Sequence, residues 1–233
     1  MRAGFARPHF LVLGFKMDFS TMVELLASGF LTTLQIFFCT LIGALPLGVL
    51  VALGRMSRFR VVSTVFRVFI SIMRGTPLML QLMFIYFAPY YIFGIRLATE
   101  WSMGATIVAF ILNYSAYFAE IYRSGIQSIP VGQYEAAQVL GYSRSQTFFK
   151  IVFPQVIKRI VPAMGNEIIV LVKDTSLAFT LGVLEMFTQA RAIVASTASL
   201  LPFVIAAVFY WVFTFFLEFV FERIEKRLSY YHD

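Results

Sequence analysis

Residues 128–154 read SIPVGQYEAAQVLGYSRSQTFFKIVFP, a polar and helix-forming stretch set between long apolar runs. No charged residue occurs over Leu25–Gly54, Gly75–Ile95, Trp101–Ala119 or Ala192–Leu217. A bilayer core takes about 20 consecutive apolar residues as helix, so each run is long enough to cross one. A fifth run, Ile160–Leu181, is interrupted by Glu167, Lys173 and Asp174. It is kept as a span because its apolar residues are dense, and charges inside a membrane usually mark function. Overall 60% of residues are hydrophobic and 13% charged, half the charged share of an ordinary soluble domain.

The expected fold is an all-α integral membrane protein with five transmembrane helices. They lie at about Thr32–Leu53, Val65–Tyr91, Met103–Tyr122, Ile151–Val172 and Leu200–Glu222, with a short cytoplasmic helix between the third and fourth. The fourth either continues or breaks through Lys173-Asp174-Thr175-Ser176. Lysine and arginine collect in short cytoplasmic loops. Here they mark the first loop (Arg55, Arg58, Arg60, with Arg67 beyond), the third (Arg123, Arg144, Lys150, Lys158, Arg159) and the tail (Arg223, Lys226, Arg227). Arg96 against Glu100, and Arg191 against Glu185, suit the opposite side. The N-terminus is therefore expected outside and the C-terminus inside, although Arg2, Arg7 and Lys16 oppose that sign. The organisation is an extracytoplasmic segment over 1–24, a transmembrane domain over 25–228 and a cytoplasmic tail over 229–233. Met1–Phe15 is read as a surface helix or disordered chain, since it has no small-residue cleavage site.

The net charge of +7 does not point to nucleic acid, because the basic residues flank apolar spans and form no continuous patch. His9 and His232 lie near opposite termini, which leaves no intramembrane histidine metal site. A single Cys39 allows no intrachain disulfide.

Within residues 131–142 the composition favours a short rigid helix. Pro130 suits its start, Glu135, Ala136, Ala137, Gln138 and Leu140 are good helix formers, and Gly141 is a natural left-handed stop. The two alanines allow a close approach to a partner, with Tyr134, Val139 and Leu140 as apolar anchors. An ordinary amphipathic surface helix has the same composition. The spacing is more specific: Glu135-Ala136-Ala137, three residues, Gly141, nine residues, then Ile151-Val-Phe-Pro154.

That pattern resembles the EAA loop of bacterial ABC-importer permeases, with Phe153 where the family usually has leucine. Met73-Arg-Gly-Thr-Pro-Leu-Met-Leu-Gln-Leu82 looks like the Arg-Gly-Thr-Pro signature of the polar amino-acid permeases. Asn113-Tyr-Ser-Ala-Tyr-Phe-Ala-Glu-Ile-Tyr-Arg-Ser-Gly-Ile126, Gly165-Asn-Glu167 and Lys173-Asp-Thr-Ser-Leu-Ala178 are similar to further segments of that family. The resemblance implies the permease subunit of an importer for amino acids such as histidine, glutamine, glutamate, arginine or cystine, in a bacterial cytoplasmic membrane. It implies as partners an ABC ATPase dimer, a second permease copy or paralogue, and an external amino-acid-binding protein. ATP and Mg would sit on the ATPase, with no cofactor on this chain. Glu135, Ala136, Ala137, Leu140 and Gly141 would dock on the ATPase.

A polar amino acid in transit needs partners for its ammonium and carboxylate. Glu167 is the expected contact for an ammonium or a cationic side chain, since an idle carboxylate at that depth is costly. Thr175 and Ser176 are expected as polar lining where the fourth helix ends. Asn113 and Tyr117, one turn apart, are expected along the same path, with Thr76 and Gln81 as weaker candidates. For Glu167 the competing reading is an interhelical pair, and for Lys173 and Asp174 a structural pairing. Arg74 is assigned to the cytoplasmic end of its helix. The stripe Thr40, Ala44, Gly48 and Ala52 reads as helix packing.

Two other classes were weighed. A membrane enzyme lacks support: no HExxH motif, glycine-framed serine or P-loop is present. An ATPase-independent secondary carrier, with Glu167 as a proton relay, is the alternative; such carriers often show internal repeats, and none is evident.

Overall fold

A glycine, a β-branched residue and a proline in succession cannot continue a helix. Proline removes an amide donor and biases the preceding residue towards extended backbone. In the computed structural model, which describes residues 17–228 apart from 97 and 99, Thr76 is extended (φ −121°, ψ 148°). The expected second span, Val65–Tyr91, is therefore two helices, α2 (Arg60–Gly75) and α3 (Leu78–Phe93), bent by 113°. They follow α1 (Phe19–Arg55). Then come α4 (Trp101–Gln127), α5 (Val131–Val139), α6 (Arg144–Thr147), α7 (Phe153–Asp174), α8 (Met186–Thr197) and α9 (Leu201–Leu228). A π-helical turn over Phe148–Val152 joins α6 to α7, and a 3₁₀ turn over Thr175–Leu181 continues α7. All regular elements among the described residues are helical.

Helices α1, α4 and α9 are long and apolar enough to cross a bilayer by length and composition, and the bent α2–α3 pair makes a fourth. Helix α7 has 22 residues, but Lys158, Arg159, Glu167, Lys173 and Asp174 lower its hydropathy. Helix α1 begins at Phe19, inside the segment assigned to the extracytoplasmic terminus, and runs 37 residues instead of the expected Thr32–Leu53. The readings of Met1–Phe15, Arg2, Arg7, His9, Lys16, His232 and the tail 229–233 lie outside the described residues.

The small-residue stripe on α1 does what its period predicts. Thr40, Ala44, Gly48 and Ala52 are all buried. At Gly48 a Cβ would stand 3.0 Å from Phe118 Cβ and 3.2 Å from the Ser115 carbonyl, so a larger residue would push α1 and α4 apart. The main core joins Ile36, Phe37, Leu82, Phe110, Tyr114, Phe118, Leu171 and Val172 from α1, α3, α4 and α7. A second core, with Met22, Leu26, Met186, Ala190, Ile193 and Ala206, holds α8 against α1 and α9.

The fourth connection, where the sequence set Arg191 against Glu185 as loop charges, is helical over Met186–Thr197. Glu185 is fully buried at the N-terminal cap of α8. Its carboxylate accepts from the Phe187 amide at 2.7 Å, the Thr188 amide at 2.6 Å, the Thr188 hydroxyl at 2.7 Å and the Tyr210 hydroxyl at 3.3 Å. A capping carboxylate satisfies amides that have no partner inside the helix, which explains its burial. Arg191 instead stacks 4.7 Å above the Phe179 ring.

Candidate functional site

Breaking α2 from α3 frees backbone carbonyls, and buried carbonyls need donors. Gln81, from the first turn of α3, donates to the Met73 carbonyl at 2.9 Å, the Thr76 carbonyl at 3.1 Å and the Thr76 hydroxyl at 2.9 Å. Asn113 on α4 donates to the same Met73 carbonyl at 3.0 Å and to Gln81 Oε1 at 2.9 Å. Both side chains are buried. Each amide hydrogen of Asn113 is thus engaged, and three of the polar residues singled out in the sequence, Thr76, Gln81 and Asn113, form one brace around the bend.

Beside that brace sits a cluster of opposite charges. Arg74, in the last turn of α2, places its guanidinium 5.3 Å from the centre of the Tyr117 ring, within cation–π range. It also attracts the carboxylates of Glu167 on α7 and Glu120 on α4. Arg74, assigned from the sequence to a helix end, lies at the end of α2 away from the α1–α2 loop, facing Tyr117 and Glu167. The sequence did not show these neighbours because they come from α4 and α7. Across the cluster, the buried Tyr114 hydroxyl donates to Asp174 Oδ2 at 2.8 Å. Lys173 lies exposed next to Asp174 and attracts it. Glu167, half-buried, has no hydrogen bond or ion pair among the described residues, leaving its oxygens available.

The 3₁₀ turn uses its own hydroxyls. Thr175, fully buried, donates to the Val172 carbonyl at 2.6 Å, and Ser176 donates to the Lys173 carbonyl at 2.7 Å. These bonds satisfy carbonyls that the tightening of the helix leaves short of partners. Helix α7 is therefore continued by a tighter turn and stops at Gly182 (φ +72°). Asn166, one residue before Glu167, lies apart from the cluster in a cleft towards α9 with Glu218, Glu222 and Glu225.

At the other end of α4 lies the stretch 128–154. Helix α5 closes with the hydrogen bonds of a Schellman motif: Gly141 donates to the Gln138 carbonyl at 3.0 Å and Tyr142 to the Ala137 carbonyl at 3.0 Å. Gly141 has φ +76°, the left-handed conformation the motif requires. Pro130 stands at the N-cap, just before the first helical residue Val131. Of α5 only Ala137 is buried; Glu135 and Ala136 are exposed, and Val131, Val139 and Leu140 present large apolar surface. Underneath, Ile129, Val152 and Val156 pack together and Arg159 donates to the Ser128 carbonyl at 2.5 Å. At Gly125 a Cβ would meet Ile160 at 2.2 Å, which marks the close approach of α4 to α7. Ser143 opens α6 with a capping box to Gln146. The π turn then widens the helix where Pro154 offers no amide, and Gln155 donates to the Ile151 carbonyl at 2.8 Å. The result is a short helix with an exposed apolar surface, placed in the chain between the two long helices that carry Tyr117 and Glu167.

Long apolar helices, a polar break between α2 and α3 and an exposed helix between α4 and α7 suit a membrane transport component. The chain belongs to the family described as "Binding-protein-dependent transport system inner membrane component", whose profile matches residues 44–230. Its relatives include the L-cystine transport system permease protein TcyB of Bacillus subtilis, 36% identical over 209 residues (89% of this chain, 88% of that protein). The glutamine transport system permease protein GlnP of Escherichia coli K12 is 37% identical over 89% of this chain and 94% of its own length. The arginine transport system permease protein ArtQ of B. subtilis is 34% identical over 92% and 98%. Among solved structures, an amino acid ABC transporter with histidines superposes with a TM-score of 0.81 at 34% identity, covering 91% of this chain and all of that one.

Proposed function

We propose that this chain is the membrane-spanning permease subunit of an ATP-driven importer for a polar amino acid. It forms half of the translocation path and couples to a separate ATPase dimer through α5. The observation that carries the reading is the pairing of an exposed, Schellman-capped α5 with a charged cluster on the same two long helices, α4 and α7. A push delivered at α5 has a rigid route to Tyr117 and Glu167, because Ile129, Val152 and Arg159 tie the mount together. The family membership and the three amino-acid permeases among the relatives support the substrate class.

In this reading the bent α2–α3 pair and α7 join α1, α4 and α9 to give five spans, with the N-terminus outside and the C-terminus inside. The full path needs a second copy or a paralogue, and an external binding protein delivers the amino acid. Glu167 meets the substrate ammonium or a cationic side chain, and Arg74 with Tyr117 receives the carboxylate. Asn113 acts one step back, bracing the backbone at Met73, and Thr175 and Ser176 shape the turn that ends α7. Glu135, Ala136, Ala137, Leu140 and Gly141 present the ATPase-facing surface. ATP and Mg act on the partner ATPase.

Radiolabelled uptake in proteoliposomes, with the permease, its ATPase and its binding protein co-reconstituted, tests the reading. Arginine, histidine, glutamine, glutamate and cystine are supplied outside, with and without ATP on the ATPase side. Accumulation that requires ATP supports the importer; accumulation without ATP would replace it by a secondary carrier.

A further inference from the structure

Helix α2 has three faces, each with its own chemistry. Phe66, Phe69, Ile70 and Met73 pack onto Val51, Ala52, Ala116 and Ala119 of α1 and α4. Val61, Val65, Val68 and Ile72 form a second, exposed apolar face suited to lipid or another permease subunit. The third face is polar throughout: Arg60, Ser63, Thr64, Arg67, Ser71 and Arg74. At 3.6 residues per turn these six fall within a stripe about 120° wide. Its three arginines recur every seven residues, and a heptad drifts only about 20° around a straight helix. They stand in a row, about 10 Å between neighbours, all exposed.

The row has a direction. Its upper end, Arg74, is part of the charged cluster with Tyr117 and Glu167. Its lower end, Arg60, opens α2 next to the basic α1–α2 loop. Among the described residues neither Arg60 nor Arg67 has a hydrogen bond or an ion pair. A separate apolar face already offers the hydrocarbon-facing side, so the arginine face is left for water.

Resting on the importer reading above, we infer that Arg74, Arg67 and Arg60 line the cytoplasmic half of the path as a ladder for the α-carboxylate of the imported amino acid. Arg67 is the positioning residue that takes the anion from the cluster and passes it towards Arg60. All amino acids share that carboxylate, so the ladder is indifferent to the side chain. Each step offers one positive charge in water, enough to attract an anion without holding it.

Charged thiol reagents test the ladder in the ATPase-bound complex, in nanodiscs of zwitterionic phosphatidylcholine and a Cys39→Ser background. Ser71 lies on the stripe within about 6 Å of both Arg67 and Arg74, measured between β-carbons. One unit charge at that distance in water alters the local level of a monovalent ion about 3-fold, and so the anion-to-cation ratio about 10-fold. The Ser71→Cys protein should react faster with an anionic than with a cationic methanethiosulfonate. Adding Arg67→Gln should lower that ratio roughly 10-fold, and Arg67→Lys should keep it. The Val68→Cys protein, on the apolar face, should react with neither reagent. Equal rates for the two reagents with Arg67 intact, or a ratio unmoved by Arg67→Gln, overturns the ladder. A preference that disappears when anionic lipid is added, and that substrate leaves unchanged, assigns the stripe to lipid headgroups and also overturns it. Uptake by the Cys39→Ser complex is scored separately. Its absence for all amino acids sinks the importer reading, while the reagent ratio still reads the stripe.

Discussion

Asn113 and Gln81 are joined by a 2.9 Å hydrogen bond between α4 and α3, and both also donate to the carbonyl of Met73 on α2. Three helices therefore meet at a single backbone oxygen. The geometry of the bend is set by two buried amides and not by the proline alone, since Pro77 ends a helix without choosing where the next one points.

Removing either amide should destabilise the fold through the groups left behind. Gln81→Leu strands the Thr76 carbonyl and the Asn113 amide, and Asn113→Ala removes one of two donors to Met73. A buried polar group left unpaired costs about 1–3 kcal/mol, so Gln81→Leu should lower the thermal midpoint of the purified complex more than Asn113→Ala. The double variant should lose less than the sum, because the two residues bond each other. Strict additivity in that cycle would show that the brace is not a unit.

Glu185 gives a second stability prediction, at the start of α8. Glu185→Ala removes the acceptor of two first-turn amides of α8 and the partner of the Tyr210 hydroxyl. Loss of a helix cap costs about 0.5–2 kcal/mol. Amide hydrogen exchange should quicken at Phe187 and Thr188 first, with α4 unchanged. Tyr210→Phe should give the same pattern more weakly. Unaltered exchange in the first turn of α8 would rule out the cap as its anchor.

How far the sequence alone reached follows from where each signal lies. The apolar runs and the stop at Gly141 were legible because composition and glycine's backbone freedom are local. The stripe from Thr40 to Ala52 was legible because a four-residue period has a single meaning on a helix. The 113° bend was not, because Thr76-Pro77 marks a break in the helix without fixing the angle at which α3 leaves it. Glu185 counted only as a loop charge because a carboxylate between apolar runs resembles any other; its partners Thr188 and Tyr210 identify it only once α8 and α9 are folded together. The cluster was half legible. Glu167 and Tyr117 stood out as polar residues at depth, but the approach of Arg74 depends on the bend. The commitment of the Asn113 amide depends on Met73, 40 residues away in the chain.

Gly141 separates the fold from the coupling role. Nothing lies within 4 Å of a Cβ built there, so a side chain meets no obstacle and the penalty is backbone alone. Non-glycine residues in the left-handed conformation lose roughly 1–2 kcal/mol, and asparagine less than most. Gly141→Asp adds bulk and charge beside the exposed Leu140 and should cut ATPase association and ATP-driven uptake by about 10-fold or more. The thermal midpoint of the permease alone should fall by only the few degrees that this backbone penalty gives. Gly141→Asn should recover part of the coupling. Normal association and transport in Gly141→Asp would remove α5 as the docking element.

The proposed role of Glu167 as the substrate contact can be separated from a structural one. The carboxylate stands within the field of Arg74, yet no described donor or cation sits within bonding distance of it, so a substrate ammonium would be its first close partner. Glu167→Gln keeps the shape and removes the charge, and a charge-assisted hydrogen bond contributes about 1.5–3 kcal/mol. The apparent affinity for the transported amino acid should fall about 10-fold or more, with ATPase association and thermal midpoint unchanged. Glu167→Asp should lie between the two. If the carboxylate instead served only to balance Arg74, Glu167→Gln would disturb Arg74 and lower stability while leaving affinity alone. The two roles therefore predict opposite readouts from one variant.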